Sequence, residues 1–504
     1  MKKYLLTVAI GLSFYSVQAQ DISDAMRYSQ SNLTGTARFR AMSGAFGALG
    51  GDLSSLSVNP AGSAVFANNQ MAITVSNYNI KNKASYFGTK TSDSESAFDL
   101  NQLGAVFVFN NQNPDSDWKK FTLGVNYDNM GDFDNSIFTA GTNPTNSISQ
   151  YFLHYANGVP PGALSNPSWG SLGYGGQQAF LAYDSYLIES NNDAGNTYFS
   201  QVPAGGNYYQ DNRIVTSGYN GKLSFNIATQ YQDRFYFGLN LNTHFTDYKR
   251  SSSFYESNNN TNPGGVSVQE LQFNNELYTY GNGFSFQVGA IAKVTNEFRV
   301  GLAYESPTWY KLNDELSQRM ITYRYDASPS NPNPGSYLRA VVDPNIVTIY
   351  QPYKLQTPGK YTGSMAYVFG KNALISVDYS LKDYSSTKYR PSNDPVLSNY
   401  NTQMANILDV TSEVRVGAEY RIKELSLRGG YRFEQSPYKN GKTIGDLQGF
   451  SGGLGYNFGS TKLDIAYSYF KRDYDLQAFS QGLTDVSNIK SVNNNITLTL
   501  GFEL

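Results

Sequence analysis

The sequence predicts an all-β fold, an antiparallel up-and-down β-barrel that crosses a membrane with about fourteen strands. The first observation is a period-two alternation of apolar and polar residues, as in 235–242, which reads Phe-Tyr-Phe-Gly-Leu-Asn-Leu-Asn. The second is that the connections between such stretches are alternately short and long. Outer-membrane barrels have this asymmetry because their periplasmic turns can be minimal while the outer loops carry function.

The connections alternate in length along most of the chain. Short joints occupy 231–234, 294–297, 369–372, 422–425 and 458–461. Long polar connections, rich in Gly, Asn and Ser, occupy 129–218, 249–279, 311–358, 385–411, 436–446 and 474–489. We therefore expect the short joints on the periplasmic side and the long ones outside the cell.

Fourteen stretches with strand periodicity lie between these connections. They are 70–78, 101–110, 119–128, 219–231, 234–248, 282–294, 297–310, 359–369, 373–384, 412–422, 425–435, 447–458, 461–473 and 493–504. The last stretch places Ile496, Leu498 and Leu500 on one face, as a strand that closes a barrel should. A soluble sandwich or propeller is the alternative, but neither fold explains loops that are long on only one side.

The amino terminus has the three regions of a secretory signal peptide. Residues 1–3 read Met-Lys-Lys, 4–14 are apolar, and 17–19 read Val-Gln-Ala, a small-residue cleavage site. We therefore predict that 1–19 is removed, that Gln20 begins the mature chain, and that the barrel, residues 70–504, lies in the outer membrane of a Gram-negative cell.

Residues 20–69 do not follow the strand rhythm. The stretch 43–52 is rich in small residues, which lets backbone pack tightly in a confined space. Asn59-Pro60-Ala61-Gly62 predicts a rigid turn, because proline fixes its own φ and keeps the residue before it extended. We predict that this segment is a hatch, or plug, inside the barrel; a periplasmic tail is the alternative.

The composition agrees with a barrel and excludes several chemistries. The 41 Tyr and 30 Phe suit aromatic girdles at both lipid interfaces. The balance of 38 basic and 40 acidic residues predicts no nucleic-acid partner. With no Cys and only His154 and His244, neither in a nucleophile motif, we expect no cofactor, no metal site and no catalysis, although a barrel enzyme is the rival of a different class.

Charged residues recur on the predicted lumen face of the later strands. They are Arg415, Glu419, Arg421, Arg428, Arg432 and Glu434, with Asp378 and Asp464 nearby. Buried charges must be paired or hydrated. They therefore form either a salt-bridge lattice that stiffens the wall and anchors the hatch, or the selectivity charges of an open porin.

The long connection 129–218 contains a helical signal. Within Gln177 to Glu189, the spacing of Phe180, Tyr183 and Leu187 predicts one apolar face, and Trp169 lies upstream. A helix of this kind buries its apolar side against the barrel mouth, against a second loop, or against a hydrophobic ligand.

Several motifs together resemble one family. The stretch 40–48, Arg-Ala-Met-Ser-Gly-Ala-Phe-Gly-Ala, leading to Asn59-Pro60-Ala61-Gly62, resembles the amino-terminal hatch of the FadL-type outer-membrane transporters of long-chain fatty acids and other hydrophobic compounds. The stretches 357–360, 366–370 and 376–380 resemble the mid-barrel hairpin of that family, and 428–433, 453–458 and 463–469 resemble its carboxy-terminal strands.

The resemblance implies a fourteen-stranded barrel with an internal hatch and a function in outer-membrane transport of hydrophobic compounds such as fatty acids. It implies capture at the outer loops, for which Trp169, Phe180, Tyr183 and Leu187 are the candidates, and gating by a hatch that moves at Asn59-Pro60-Ala61. We expect fatty-acid-like molecules, outer-membrane lipids and lipopolysaccharide as partners, and a monomer. An open porin for small polar solutes is the alternative function.

Overall fold

In the computed structural model, fourteen antiparallel strands close into a barrel, which confirms the predicted fold. The structure describes residues 21–504 except 31, 166, 192–194, 262–264, 331–332 and 334. The predicted signal peptide, 1–19, and Gln20 lie outside the described residues. Within the described part of the chain, no helix is long and apolar enough to span a bilayer.

The barrel strands are numbered β1 to β14 along the chain. They are β1 Gln70–Tyr86, β2 Thr89–Asn110, β3 Trp118–Asp132, β4 Tyr208–Tyr231, β5 Phe235–Ser257, β6 Val266–Lys293, β7 Phe298–Glu305, β8 Lys360–Phe369, β9 Ala373–Asp383, β10 Val410–Ile422, β11 Leu425–Glu434, β12 Ile444–Asn457, β13 Thr461–Gln477 and β14 Val486–Glu503. Two of them are interrupted: β3 continues outward as Asn135–Asn143 and β7 as Trp309–Asp326.

The first and last strands form the seam that closes the barrel. They pair antiparallel from Gln70↔Glu503 to Ser85↔Asn488. On β14, Ile496 is exposed toward the bilayer whereas Thr497 is buried in the lumen. This alternation is the one that the sequence predicts, because successive side chains of a strand point to opposite faces.

Several strands run further outward than the sequence predicts. Most of the predicted loop 249–279 is strand, since β5 and β6 stay paired as far as Ser257↔Glu270. The first part of the predicted loop 311–358 is also strand, paired with β6 up to Asp326↔Val266. Beyond the membrane both faces of a strand can be polar, so the apolar alternation that marks a strand is lost while the backbone hydrogen bonds continue.

Among the residues that the structure describes, six helices lie inside or above the barrel. They are α1 Ile22–Ser29, α2 Ala37–Ala41, α3 Ser149–Ala156, α4 Pro161–Leu164, α5 Tyr174–Asp184 and α6 Pro395–Ile407. Four 3-10 turns accompany them at Leu53–Ser57, Pro60–Val65, Trp169–Ser171 and Tyr384–Ser386. Short strands extend the upper part of the wall at Ser336–Val342, Thr348–Ile349, Tyr353–Gln356 and Lys388–Arg390, and Ile188–Ser190 and Tyr198–Ser200 form a separate two-stranded sheet.

Candidate functional site

The part of the predicted hatch from Gly35 to the end of the 3-10 turn Pro60–Val65, called the hatch from here on, touches the wall where the wall carries glycine. A Cβ at Gly289 of β6 would lie 2.0 Å from Asn59 Oδ1, and a Cβ at Gly301 of β7 would lie 2.3 Å from the carbonyl oxygen of Gly47. Close approaches of 2.3 to 2.6 Å to the hatch recur at Gly238, Gly417, Gly430 and Gly453 on β5, β10, β11 and β12. We call these six residues the glycine seat; it lets hatch backbone lie directly on wall backbone.

Asn59 and Pro60 form the turn that the sequence predicts. The Asn59 side chain caps the 3-10 turn, with Oδ1 accepting from the Ala61 amide at 3.1 Å. Its Nδ2 donates to the carbonyl oxygen of Gly47 at 2.7 Å and to that of Ala290 in β6 at 3.1 Å. One side chain therefore joins two parts of the hatch to the wall.

Carboxylates of the wall also hold the hatch, next to the glycine seat. Asp378 of β9 accepts the backbone amides of Phe46 and Gly47 at 3.0 and 3.1 Å. Arg38 of α2 pairs with Glu419 of β10 at 2.8 Å. Asp378 and Glu419 therefore face the lumen, as the sequence predicts, and both contact the hatch directly.

The other predicted lumen charges pair with one another. Arg432 bridges Glu413 and Glu434 at 2.7 and 2.8 Å. Glu419 receives Arg421 and Arg428 in addition to Arg38, and Arg428 continues to Asp464. These charges form a connected lattice, which is the first of the two arrangements that the sequence left open.

We predict that Glu419→Gln destabilises the protein strongly. The Glu419 carboxylate is inaccessible to solvent and receives three guanidinium groups. Removing one partner of a buried ion pair typically costs about 3 to 5 kcal/mol, because the remaining charges stay buried. The measurement is denaturant unfolding in detergent. Glu503→Gln is the control, since its pair with Lys462 is exposed and should change the free energy of unfolding little; equal effects would contradict the assignment.

A polar cavity of about 420 Å³ separates the hatch from part of the wall at the end of the barrel where the short turns lie. It is lined by Arg38 and Asp52 of the hatch and by Arg421, Arg428 and Lys462 of the wall, among others. The hatch therefore fills the barrel less completely on this side than at the glycine seat.

The wall is interrupted beside the hatch. The ladder between β2 and β3 ends at Gln102↔Asp128, and the pairing of β3 with β4 shifts between Asn129 and Gly131. On the lumen side of this break, Asn101 accepts the amide of Gly35 at 2.5 Å. A stretch of the hatch therefore passes directly behind the place where β2 and β3 part.

Helix α1 occupies the lumen above the hatch. Its Tyr28 packs on Tyr310 with ring centroids 5.5 Å apart, and its Arg27 lies 3.6 Å from the ring centroid of Tyr248. Arg27 also pairs with Asp24 at 2.6 Å. Burial raises the pKa of Asp24 to about 6, and the nearby Asp21 adds to the rise, whereas Arg27 opposes it. The helix is therefore held to the wall by ring contacts, whereas the Asp24–Arg27 pair lies within the helix.

An apolar cluster covers the outer mouth. Its buried members include Tyr151, Phe152, Trp169, Leu181, Leu187, Phe254, Phe273 and Met320. Phe180 and Tyr183 are partly buried against it. We call this set the outer cluster. Its residues come from α3, α5, β5, β6 and the outer part of β7, so the long loop folds back onto the strand extensions.

The comparisons with known proteins agree with this architecture. A family model described as outer membrane protein transport protein (OMPP1/FadL/TodX) matches residues 188–496. The chain belongs to this family. It is a transport channel of the outer membrane for hydrophobic compounds and not an enzyme.

Solved structures show the same fold at low sequence identity. A FadL homologue of Pseudomonas aeruginosa has a TM-score of 0.53 and 14% identity, covering 94% of this chain and 99% of that chain. The toluene transporter TodX of Pseudomonas putida has a TM-score of 0.50 and 13% identity, covering 94% of this chain and 99% of that chain. No curated protein matches the sequence.

The candidate binding residues fall into two groups in the structure. Trp169, Phe180, Tyr183 and Leu187 come together in the outer cluster, and Asn59 to Ala61 lie at the glycine seat. One detail of the prediction is wrong: α5 ends at Asp184, so Leu187 lies beyond the helix. Tyr186 takes a positive φ of 59°, which ends the helical path and turns Leu187 into the cluster.

Sequence reasoning missed α1. Its start is polar, which hid the helix, but Asp21 and Asp24 form a capping box in which each side chain accepts the other's backbone amide. An acidic N-cap with an acidic residue three positions later is a known helix-start pattern, and Arg27 three residues further on adds an ion pair. That signal was present in the sequence.

Proposed function

We propose that the protein carries long-chain, fatty-acid-like molecules from the cell exterior, captures them at the outer cluster, and releases them sideways into the bilayer with the hatch as the gate. The observation that supports this route is the contrast between an apolar mouth and a lumen that is filled by the hatch and lined by ion pairs. A hydrocarbon chain gains little by entering such a lumen, whereas lateral exit keeps it in apolar surroundings.

The proposed exit is the break between β2 and β3. The missing ladder beyond Gln102↔Asp128 leaves wall backbone that is not bridged by strand pairing. The hatch covers the lumen side of this break, where the amide of Gly35 donates to Asn101. A shift of the hatch would therefore uncover the break from inside. Lateral exit needs no second copy of the chain, which is consistent with a monomer.

The capture site is tested by changing the outer cluster. We predict that Phe180→Ser combined with Leu187→Ser weakens binding of oleate by roughly tenfold or more, since each methylene that loses an apolar partner costs about 0.8 kcal/mol. The measurement is equilibrium binding of labelled oleate to purified protein, with toluene as a second ligand. Phe199→Ser is the control, because Phe199 belongs to the same outer region but is 41% exposed.

Barrel assembly must be intact for the result to count, and heat-modifiable migration on gels reports it. Unchanged oleate affinity in an assembled double variant would mean that the cluster is only loop packing. Weakened toluene binding with unchanged oleate binding would replace the fatty-acid class by small aromatic compounds.

The gate is tested by locking the hatch. The chain has no cysteine, so two can be introduced alone. Ser63 Oγ and Thr122 Oγ1 lie 2.9 Å apart, which suits a disulfide between Ser63→Cys in the hatch and Thr122→Cys in β3. We predict that the crosslinked protein loses oleate uptake in cells and regains it on reduction. Normal uptake with the crosslink fully formed would rule out hatch movement as the gate.

A further inference from the structure

The bilayer-facing wall carries an apolar groove far from the break between β2 and β3. It has a volume of about 520 Å³ and is formed by β6, β7, β8 and β9. Leu302 and Tyr361, which are 70% and 64% exposed, line it together with Tyr379 and Leu381. Because these residues face the membrane, the groove opens to lipid and not to the lumen.

Two prolines on neighbouring strand paths lie just above the groove. The pairing of β7 with β8 ends at Glu305↔Lys360, two residues before Pro307 on one path and two residues after Pro358 on the other. Above the prolines, Trp309 pairs with Gln356 in the short strand Tyr353–Gln356. Proline cannot donate to a ladder, so strand pairing is interrupted between the lower and upper parts of the wall.

A row of basic side chains stands above the groove on the same outward face. Lys311 lies opposite Lys354, and Lys354 lies opposite Arg390, on three adjacent strands. Lys388 lies two positions before Arg390 on the same short strand, and all four side chains are exposed. We call these four residues the basic row. None of these four side chains forms an ion pair with any residue that the structure describes.

Like charges directly opposite each other on paired strands repel and destabilise the sheet. Here three basic side chains lie opposite one another in succession, with no carboxylate between them. An anion that binds there is attracted by all three charges, and it removes the repulsion between the strands. The position of the row sets the kind of anion. Lys354 of the row is seven residues from Tyr361, which is at most about 23 Å of extended chain, and 357–359 between them belong to no strand.

This length is enough to lead from the upper acyl segments of a lipid to the phosphates of its headgroup. Tyr361 is eight residues from the periplasmic turn at Phe369, which places it near the outer edge of an apolar band about 25 Å tall. The basic row then lies on the headgroup side of that edge. Trp309, 43% exposed between groove and row, is of the type that prefers this interface.

We infer that the wall formed by β6 to β9 binds a phosphorylated glycolipid of the outer leaflet, of the lipid A type, with its phosphates on the basic row and one acyl chain in the groove. The groove lies on the outer face of the wall whose inner face carries Gly289 of the glycine seat, but it is not on the proposed route, which leaves between β2 and β3. Its occupant is a structural lipid that neutralises the row and fills the groove.

The test is binding of diphosphoryl lipid A to the purified full chain in detergent, followed by native mass spectrometry. Two variants probe the two halves of the site. The first, Lys311→Gln with Lys354→Gln and Arg390→Gln, should weaken binding roughly tenfold or more, since each basic residue contributes to attraction of anionic lipid. The second, Gly363→Leu, fills the groove, where a Cβ meets nothing closer than Leu302 at 3.9 Å.

Each variant has a matched control. Lys81→Gln, Lys83→Gln and Lys90→Gln remove three exposed lysines from β1 and β2. Gly429→Leu enlarges another glycine with the same 3.9 Å clearance, on β11. We expect both controls to bind lipid A as the unchanged protein does, and dephosphorylated lipid A to bind weakly to all.

Three results would overturn the inference. Equal loss of lipid A binding in the basic-row variant and in the lysine control would mean that net charge, and not the basic row, attracts the lipid. Loss in Gly363→Leu without loss in the basic-row variant would make the groove a site for any hydrocarbon chain. Full competition by inorganic phosphate would mean that the row is a simple anion site without the groove.

Discussion

Replacing Gly301 by valine should unseat the hatch while leaving the barrel assembled. A Cβ at this position would lie 2.3 Å from the carbonyl oxygen of Gly47 and 3.1 Å from the Cα of Ala48. All of these neighbours are backbone atoms, so no side-chain rotation can make room. Overpacking of this kind typically costs about 1 to 3 kcal/mol. The hatch, held by a few polar contacts, is the part that can move away.

The expected readout is ion conductance in planar bilayers, which should rise from a closed baseline, together with greater sensitivity of cells to large antibiotics. Gly429→Val is the matched control, because its Cβ would meet only Ser451 O at 3.9 Å on β11. If Gly301→Val conducted no more than Gly429→Val, the glycine seat would have no part in sealing the lumen.

Deleting residues 21–62 should produce the largest conductance of all. The deletion removes α1, α2 and the Asn59-Pro60 turn, which together fill the lumen from the outer mouth to the glycine seat. The strands pair with each other and not with the hatch, so β1 to β14 should still close. We expect conductance to rise by roughly tenfold or more, as a side-chain-lined lumen of this strand number becomes water-filled.

The deletion also separates the two functions considered for the chain. A large steady conductance in the unchanged protein, with little further rise on deletion, would favour an open porin for polar solutes. A silent unchanged protein and a conducting deletion would leave the hatch as the seal. Heat-modifiable migration is again the check that the barrel has assembled.

Much of the fold could be predicted from the sequence because the lipid imposes a strict pattern. Where a strand crosses the bilayer, most outward side chains are apolar, as with Phe235 and Phe237 of β5, and each of the fourteen strands overlaps a stretch that the alternation indicates. Outside the bilayer that constraint ends. Lys249 and Ser251 of β5 face water, and the strand continues there without its sequence signature.

The site was predictable only where local chemistry is strong. The turn at Asn59 and Pro60 was predictable because an asparagine side chain can cap the turn and proline fixes its backbone. The outer cluster was predicted from Phe180 and Tyr183, but its strand partners, such as Phe254 and Phe273, appeared to lie in loops because the strand extensions were not seen. The basic row is brought together by strand register alone, which composition and spacing do not reveal.

The seam between β1 and β14 has a consequence for how the protein is made. Its inner side chains bond each other, with Thr74 Oγ1 2.7 Å from Thr499 Oγ1, and they also bond the hatch. Thr499 accepts the amide of Ala37 at 2.7 Å, and the fully buried Arg40 donates to Ser76 at 3.0 Å. Strand β14 therefore packs onto a surface to which Ala37 and Arg40 of the hatch contribute. We expect assembly to be directional, so that the plug is enclosed as the barrel closes and is not threaded into a finished barrel.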